Sequence, residues 1–229
     1  VGDVTNRFGF DEFLRLCEEV GAEALIPLRT RAAMTGKASI ELEAADGAKL
    51  VAYCTGDPSK LSGELREWAQ LRVKNGRKAP YQVPYWQIGN ETFVFWNDVK
   101  REFGDRAEDR FVSLTQQYVS AIRGVQPDAK ILADGMSPEL NMRLRREVGD
   151  GISFLVEHWY RPWDIRKVER EGVTVSANDL TAADAWLAWT PPTDIDPQGL
   201  STLLNQTVRK TSHGYPVAIT EWNWNGWWA

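Results

Sequence analysis

The sequence predicts an α/β fold built around a parallel sheet. Short apolar runs alternate with helical patterns five times along the chain. A chain that returns to one sheet after each helix produces parallel strands joined by right-handed crossovers. Acidic residues stand directly after several predicted strands, which is where α/β barrels carry their catalytic groups. The 229 residues suffice for one large core, so we expect residues 1–229 to form a single domain.

Periodicity and turn residues define the first elements. Apolar residues at helical spacing predict a helix from Phe10 to Val20, and Gly21 follows as its C-cap. The run from Ala24 to Leu28 is short and apolar, which is typical of a buried strand. Turn signals then predict a loop at 29–41 and helices at 42–53 and 64–72.

The most informative stretch is the predicted strand from Pro84 to Ile88. Tyrosine, tryptophan and isoleucine favour strands, and a proline is tolerated where a strand begins. Gly89 has no Cβ, so the backbone there can turn sharply or approach a ligand closely. The strand therefore delivers Asn90 and Glu91 to a loop at its carboxyl end.

The alternation continues through the second half of the chain. Residues 92–104 are aromatic and without periodicity, and we expect an irregular rim there. Residues 161–180 form a long polar connection, which is typical of a functional or mobile segment. The remaining predicted elements are strands at 130–133, 152–156 and 216–220 and helices at 111–125, 138–148, 181–189 and 200–208.

The strand at 216–220 repeats the pattern, since it delivers Glu221 followed by Trp222. Two carboxylates, each at the end of its own strand, are what the cleavage of a glycosidic bond requires. A single glutamate at a strand end is more often solvated or caps the next helix, so a structural role stays open for each residue alone. Asp134 and Glu157, which also follow predicted strands, are rival carboxylates.

The composition of the chain excludes several classes of binding partner. The net charge of −5 argues against a nucleic-acid surface, and no apolar run approaches the length of a membrane span. There is no dinucleotide fingerprint or phosphate loop, and two histidines are too few for a histidine metal site, so we expect no cofactor and no metal. The 11 tryptophans suit core packing or the stacking of sugar rings.

Several motifs together resemble those of clan A glycoside hydrolases, with the α-L-arabinofuranosidases of family 51 as the nearest relatives. The stretch from Tyr85 to Glu91 is similar to the acid/base strand of that clan, and the resemblance extends from about Asn6 to Asn223. The other matching segments are 6–21, 51–56, 71–76, 80–81, Glu157-His158-Trp159-Tyr160 and Ile219-Thr220-Glu221-Trp222-Asn223. The loop after Leu28 departs from the pattern, because Arg29-Thr30-Arg31 stands where these relatives often have an asparagine and a glycine-rich turn.

The resemblance implies a (β/α)8 TIM barrel, with Glu91 after strand four and Glu221 after strand seven. Only strands three to seven would be present, so we expect an incomplete barrel that is completed by further polypeptide or by a second copy. The first residue is Val1 and the last, Ala229, comes soon after a predicted strand, so both ends are expected to be cut from a longer protein.

The resemblance also implies a retaining mechanism on terminal α-L-arabinofuranosyl residues of plant-type polysaccharides or oligosaccharides. Glu221 would be the nucleophile and Glu91 the acid/base. Asn90 would bind the sugar 2-hydroxyl, and Tyr160 would donate a hydrogen bond to Glu221. The remaining substrate-binding residues would be His158, Trp159 and Trp222.

Two alternatives remain at this stage. One is another clan A activity, such as a β-xylosidase or an endoglucanase. The other is a non-catalytic carbohydrate-binding protein with a degenerate barrel, which the missing strands and the tryptophan content favour. The sequence leaves open the sugar, exo or endo action, the oligomeric state and the compartment.

Overall fold

The computed structural model describes residues 7–160, 167–170, 173–176, 179, 181 and 209–223. The chain divides into two compact units, Val1–Phe154 and Leu155–Ala229. Within the described ranges, no helix combines the length and the apolar character needed to cross a membrane.

The first unit alternates helices with three parallel strands. Its strands are β1 (Leu25–Leu28), β2 (Tyr85–Ile88) and β3 (Lys130–Asp134). Its helices are α1 (Phe10–Val20), α2 (Arg31–Met34), α3 (Ile40–Thr55), α4 (Gly63–Lys74), α5 (Trp96–Phe103), α6 (Ala107–Val125) and α7 (Pro138–Glu147). Short 3₁₀ turns lie at Thr92–Phe95, Gly104–Arg106 and Gly149–Gly151.

The register of the three strands aligns their carboxyl ends. Leu28 of β1 pairs with Ile88 of β2, which in turn pairs with Ala133 of β3. Parallel strands bring the residues that follow them to one edge of the sheet. The loops that begin after β1, β2 and β3 therefore meet at this edge.

Helices cover the sheet and complete the core. Helix α3 packs most extensively against α6 and α4. Trp86 and Ile131 of the sheet and Phe111 of α6 are almost fully buried, as expected for strands covered by helices. Trp86 donates its indole N–H to Oε1 of Gln126 at 2.9 Å, so its one polar group is satisfied inside the core.

Helix α1 is held mainly by polar contacts. Of its predicted apolar stripe only Leu14 is buried, while Phe10 and Val20 are exposed. The carboxylate of Asp11 accepts hydrogen bonds from the phenol groups of Tyr53 at 2.5 Å and Tyr81 at 2.6 Å. These two bonds attach α1 to α3 and to the segment that precedes β2.

A buried cation closes the carboxyl-terminal end of α3. Arg72 of α4 is 0% exposed and donates hydrogen bonds to the carbonyl oxygens of Tyr53 at 2.7 Å and Gly56 at 2.9 Å. Carbonyl groups at the end of a helix lack partners within the helix, and a positive charge there is favoured by the helix dipole. Burial lowers the pKa of the Arg72 guanidinium.

The second unit contains β4 (Phe154–Tyr160) from its second residue onward, paired in parallel with the strand at Val217–Asn223. Between them, β5 (Lys167–Arg170) and β6 (Val173–Ser176) form an antiparallel pair. A short helix, α8 (Arg209–Thr211), precedes the strand at Val217–Asn223, which is β7 in chain order.

The predicted strands at 24–28, 84–88 and 130–133 are confirmed within one residue. Three segments that were predicted to be irregular contain regular structure. The predicted loop at 29–41 contains α2, and the predicted rim at 92–104 forms a 3₁₀ turn followed by α5. The predicted connection at 161–180 contains the β5–β6 pair. The strands at 152–156 and 216–220 continue to Tyr160 and Asn223, so Glu221 lies inside β7 rather than after it. The predicted helices at 181–189 and 200–208 fall almost wholly outside the described residues.

We expect Arg72→Met to lower the free energy of unfolding by about 2–4 kcal/mol, because it leaves buried carbonyl groups without their donor. Arg66→Met is the matched control, since Arg66 lies on the same helix and is exposed; its effect should stay within about 0.5 kcal/mol. Urea denaturation of both variants measures the difference. Equal midpoints for the two variants would contradict the capping role of Arg72.

Candidate active site

Gly89 sets the point at which the chain leaves the sheet. Its N–H donates to the carbonyl oxygen of Leu28 at 2.9 Å, which extends the β1–β2 ladder by one residue. Its φ of +79° is a conformation that only glycine adopts without strain. A Cβ at this position would lie 2.8 Å from Oγ1 of the buried Thr30, so a side chain does not fit either. The predicted sharp turn is therefore present.

Asn90 follows, and Gln87 orients its side chain. Gln87 is buried in β2, and its amide Nε2 donates to the carbonyl oxygen of Gly89 at 3.0 Å and to Oδ1 of Asn90 at 3.1 Å. Asn90 itself is exposed. An asparagine whose Oδ1 is engaged in this way presents its Nδ2 hydrogens as donors.

Glu91 has a left-handed backbone, with φ of 49° and ψ of 44°. For a residue other than glycine this costs about 1–3 kcal/mol and persists only when the surroundings impose it. Two hydrogen bonds hold the next peptide group: Thr92 N–H donates to Oδ2 of Asp134 at 2.8 Å, and the carbonyl oxygen of Glu91 accepts from Val94 N–H at 2.9 Å. Strained residues held in this manner cluster at functional sites.

Arg29-Thr30-Arg31, the departure noted in the sequence, borders the same edge of the first unit. Arg29 pairs with Asp46 at 2.6 Å, and the Arg31 guanidinium lies 5.2 Å from the centre of the Phe95 ring. Thr30 is buried against Gly89. A cavity of about 590 Å³ opens beside the two arginines, and Lys37 and Glu43 also line it.

The second unit carries the other predicted group of residues. A register shift between β4 and β7 places Glu157 opposite Ile219 and His158 opposite Glu221, so that Thr220 is the extra residue of a β-bulge. Bulges of this kind re-aim side chains and are frequent next to active sites. No sequence pattern predicts this shift.

Glu221 lies between two side chains of β4. Tyr160 donates its phenol O–H to Oε2 of Glu221 at 2.8 Å, as the sequence interpretation expected. Nε2 of His158 lies 3.5 Å from Oε1 of Glu221, and the His158 side chain is 7% exposed. The Glu221 side chain is 34% exposed, so its carboxylate is held in place and still open to solvent.

Two tryptophans, Trp159 and Trp222, are also predicted to bind the substrate. The Trp222 side chain is 64% exposed, which suits a stacking surface better than core packing. The prediction for Trp159 concerns a side chain outside the described part of the structure.

Two residues that the sequence interpretation undervalued act on the turn at Glu91. The sequence predicts Gln87 only as part of a strand and Asp134 only as a rival carboxylate. Asp134 is 3% exposed and accepts a backbone hydrogen bond, so it is built into the structure rather than presented to solvent. Its place at the end of a predicted strand was the available signal, but its partner lies 42 positions away in sequence.

Comparisons with known proteins identify the relatives. The family model described as "Alpha-L-arabinofuranosidase 1 domain" matches residues 2–164. Alpha-L-arabinofuranosidase C of Emericella nidulans is 30% identical over 138 residues, which cover 59% of this chain and 23% of that protein. An intracellular exo-α-(1→5)-L-arabinofuranosidase of Acetivibrio thermocellus is 24% identical over 132 residues, covering 58% and 22%. The matched part is thus less than a quarter of each relative.

Solved structures agree with this assignment. The α-L-arabinofuranosidase from Thermotoga maritima, in its arabinose complex, matches 99% of this chain and 39% of its own, with 26% identity and a TM-score of 0.58. A family 51 α-L-arabinofuranosidase from Bifidobacterium longum matches 96% and 39%, with a TM-score of 0.56; its 16% identity supports the fold alone. Because the family model covers more than half of the sequence, this chain belongs to the α-L-arabinofuranosidase family, in the neighbourhood of glycoside hydrolase family 51.

Proposed function

We propose that the protein containing this chain is a retaining glycoside hydrolase that removes terminal α-L-arabinofuranosyl residues from plant-type polysaccharides or oligosaccharides. Family membership supports the substrate class. The observation that carries the proposal is the local environment of Glu221, a partly exposed carboxylate that a phenol holds by a hydrogen bond of 2.8 Å. A fixed and accessible carboxylate is what a glycosidase nucleophile must be.

We also propose that residues 1–229 belong to one (β/α)8 barrel and supply its strands three to seven. The parallel β1–β2–β3 sheet of the first unit and the parallel β4–β7 pair of the second support this fold. Further polypeptide or a second copy would supply the remaining strands. A barrel needs all of its strands to avoid open sheet edges.

In the proposed first step Glu221 attacks the anomeric carbon as a carboxylate, and the glycosidic bond to the leaving oxygen breaks. Glu91 donates a proton to that oxygen, so the alcohol leaves neutral. In the second step Glu91 takes a proton from water, whose oxygen attacks the anomeric carbon and releases Glu221. Two inversions retain the α configuration of the sugar.

The neighbouring side chains would bind the sugar. Asn90, which Gln87 orients through its Oδ1, would donate from Nδ2 to the 2-hydroxyl oxygen. Hydrogen bonds to this hydroxyl strengthen in the transition state. His158 would orient the sugar or the Glu221 carboxylate, and Trp159 and Trp222 would form a wall of the pocket.

We expect Glu221→Ala to abolish the hydrolysis of an aryl α-L-arabinofuranoside without unfolding the full protein. Azide should restore part of the turnover, because it replaces the missing nucleophile and attacks the anomeric carbon directly. A single inversion makes the product the β-arabinofuranosyl azide, which NMR identifies. Glu67→Ala, at an exposed position on α4, is the control and should retain normal activity.

Unchanged activity in Glu221→Ala would remove this residue from the mechanism. A protein that binds arabino-oligosaccharides equally well with and without the substitution, and never releases product, would instead be the non-catalytic carbohydrate-binding protein.

Glu91→Ala should lower kcat/KM for the phenyl arabinofuranoside by about 10²–10⁴-fold, because that leaving group needs a proton. The 2,4-dinitrophenyl arabinofuranoside should be cleaved to the covalent intermediate with a much smaller loss, since dinitrophenolate leaves unprotonated. Azide then attacks the intermediate and yields the α-arabinofuranosyl azide, the opposite anomer from that expected for Glu221→Ala. Equal losses on both substrates would contradict the acid role of Glu91.

The role of Asn90 can be tested with a substrate that lacks the 2-hydroxyl. We expect Asn90→Ala to lower kcat/KM for the normal substrate by at least about tenfold, because a hydrogen bond formed in the transition state is lost. The same substitution should change the rate for the 2-deoxy substrate far less. Independent effects of the two changes in this double-mutant cycle would show that Asn90 does not contact the 2-hydroxyl.

A further inference from the structure

We propose that Asp134 is a positioning residue for the acid/base step: its buried carboxylate fixes the backbone of Glu91 and thereby the direction from which Glu91 donates its proton. This inference rests on the proposed role of Glu91. It concerns a residue that takes no part in the chemistry itself.

The peptide group that joins Glu91 to Thr92 is held at both of its polar ends. Its N–H donates to Oδ2 of Asp134 at 2.8 Å, and its carbonyl oxygen accepts from Val94 N–H at 2.9 Å. A peptide group is planar, so holding both of its polar ends fixes the orientation of the plane. That orientation sets the ψ angle of Glu91, which is 44°.

The two hydrogen bonds that hold this peptide group come from different parts of the first unit. The bond to Val94 is local, and any 3₁₀ turn at Thr92–Phe95 would form it. The bond to Asp134 comes from the end of β3, which belongs to the sheet. Of these two bonds, the one to Asp134 connects the Glu91 backbone to the sheet of the first unit.

The strength of this bond matches the strain that it opposes. Glu91 has a positive φ of 49°, a conformation that a residue other than glycine leaves unless its surroundings prevent it. A hydrogen bond to an ionised carboxylate is among the stronger ones in proteins, and Asp134 is 3% exposed, so water competes poorly for it. The free energies of strain and bond are of the same order, so removing Asp134 allows the Glu91 backbone to relax.

The loop on the other side of Glu91 has separate supports. Gly89 remains paired with Leu28, and Gln87 continues to hold Gly89 and Asn90. The loss of Asp134 should therefore move the acid/base side chain while leaving the strand and Asn90 in place. A displacement of about 1 Å in a catalytic group can cost about 10²-fold in rate.

This selectivity gives a kinetic signature that a general loss of stability does not produce. A misplaced Glu91 slows hydrolysis of the covalent intermediate for every substrate, but it lowers kcat/KM, which reports formation of that intermediate, only where the leaving group needs a proton. We expect Asp134→Ala, in the full protein, to lower kcat/KM for the phenyl arabinofuranoside by about 10²-fold. The loss for the 2,4-dinitrophenyl arabinofuranoside should be within about threefold, because that bond breaks without acid catalysis.

Asp134→Asn is the conservative variant, since its Oδ1 still accepts the Thr92 N–H but carries no charge. Neutral hydrogen bonds are about half as strong as charged ones, so we expect a loss of about three- to tenfold on the phenyl substrate and no measurable loss on the dinitrophenyl substrate. Asp128→Ala is the matched control: Asp128 is exposed and precedes the opposite end of β3, and its loss should change neither rate. Thermal denaturation shows whether Asp134→Ala folds. If it does not, the rates of Asp134→Asn on the two substrates test the positioning role.

Equal losses on the two substrates, or no loss on either, would overturn the positioning role of Asp134. The proposed function fails differently: Glu91→Ala itself would then show no dependence on the leaving group. An Asp134 variant that reproduces the leaving-group dependence of Glu91→Ala at a smaller amplitude is the expected result.

Discussion

The close contact between β1 and β2 at Gly89 is the constraint on which the turn with Glu91 depends. The N–H of Gly89 is still in the ladder, bonded to Leu28, while its positive φ already directs the chain away from the sheet. Thr30 occupies the space where a Cβ would lie. The backbone at Gly89 is therefore restricted to a conformation that turns away from the sheet. The end of β2 thus determines where Asn90 and Glu91 lie.

Much of this fold could be predicted because its strands are short, apolar and bounded by turn residues. The same reasoning missed α5, although Trp96, Val99 and Phe103 recur at helical spacing, because the helix is only eight residues long and follows directly on the apolar run Phe93–Phe95. It also missed the β5–β6 pair, because Glu171-Gly172 between the two runs is not one of the asparagine-glycine, aspartate-glycine or glycine-glycine pairs that mark a two-residue hairpin turn. The bulge at Thr220 left no trace in the sequence, because one extra residue changes neither composition nor periodicity.

Some residues of the candidate site could be predicted from the sequence, and others could not. Glu91 and Glu221 could be found because each follows a run of aromatic or apolar residues in the sequence and has a polar or aromatic neighbour. Asp134 could be noticed but not assigned, since its function depends on a hydrogen bond to Thr92 across the sheet. Gln87 gave no signal, because a polar residue within a strand is ordinarily exposed and this one is 2% exposed. Sequence patterns locate carboxylates, whereas long-range hydrogen bonds decide what they do.

The surroundings of Asp134 and Glu221 suit these two carboxylates to different roles. Asp134 is buried and accepts a backbone N–H, which stabilises a strained turn but leaves little of it accessible to a substrate. Glu221 is one-third exposed, and a phenol rather than the backbone holds it, so one part of the carboxylate is fixed and another is open. Chemically similar side chains acquire opposite roles when one is enclosed and the other is not. The burial of Asp134 is thus a condition for the turn that presents Glu91, because an exposed carboxylate would exchange its hydrogen bond with water and hold the turn only weakly.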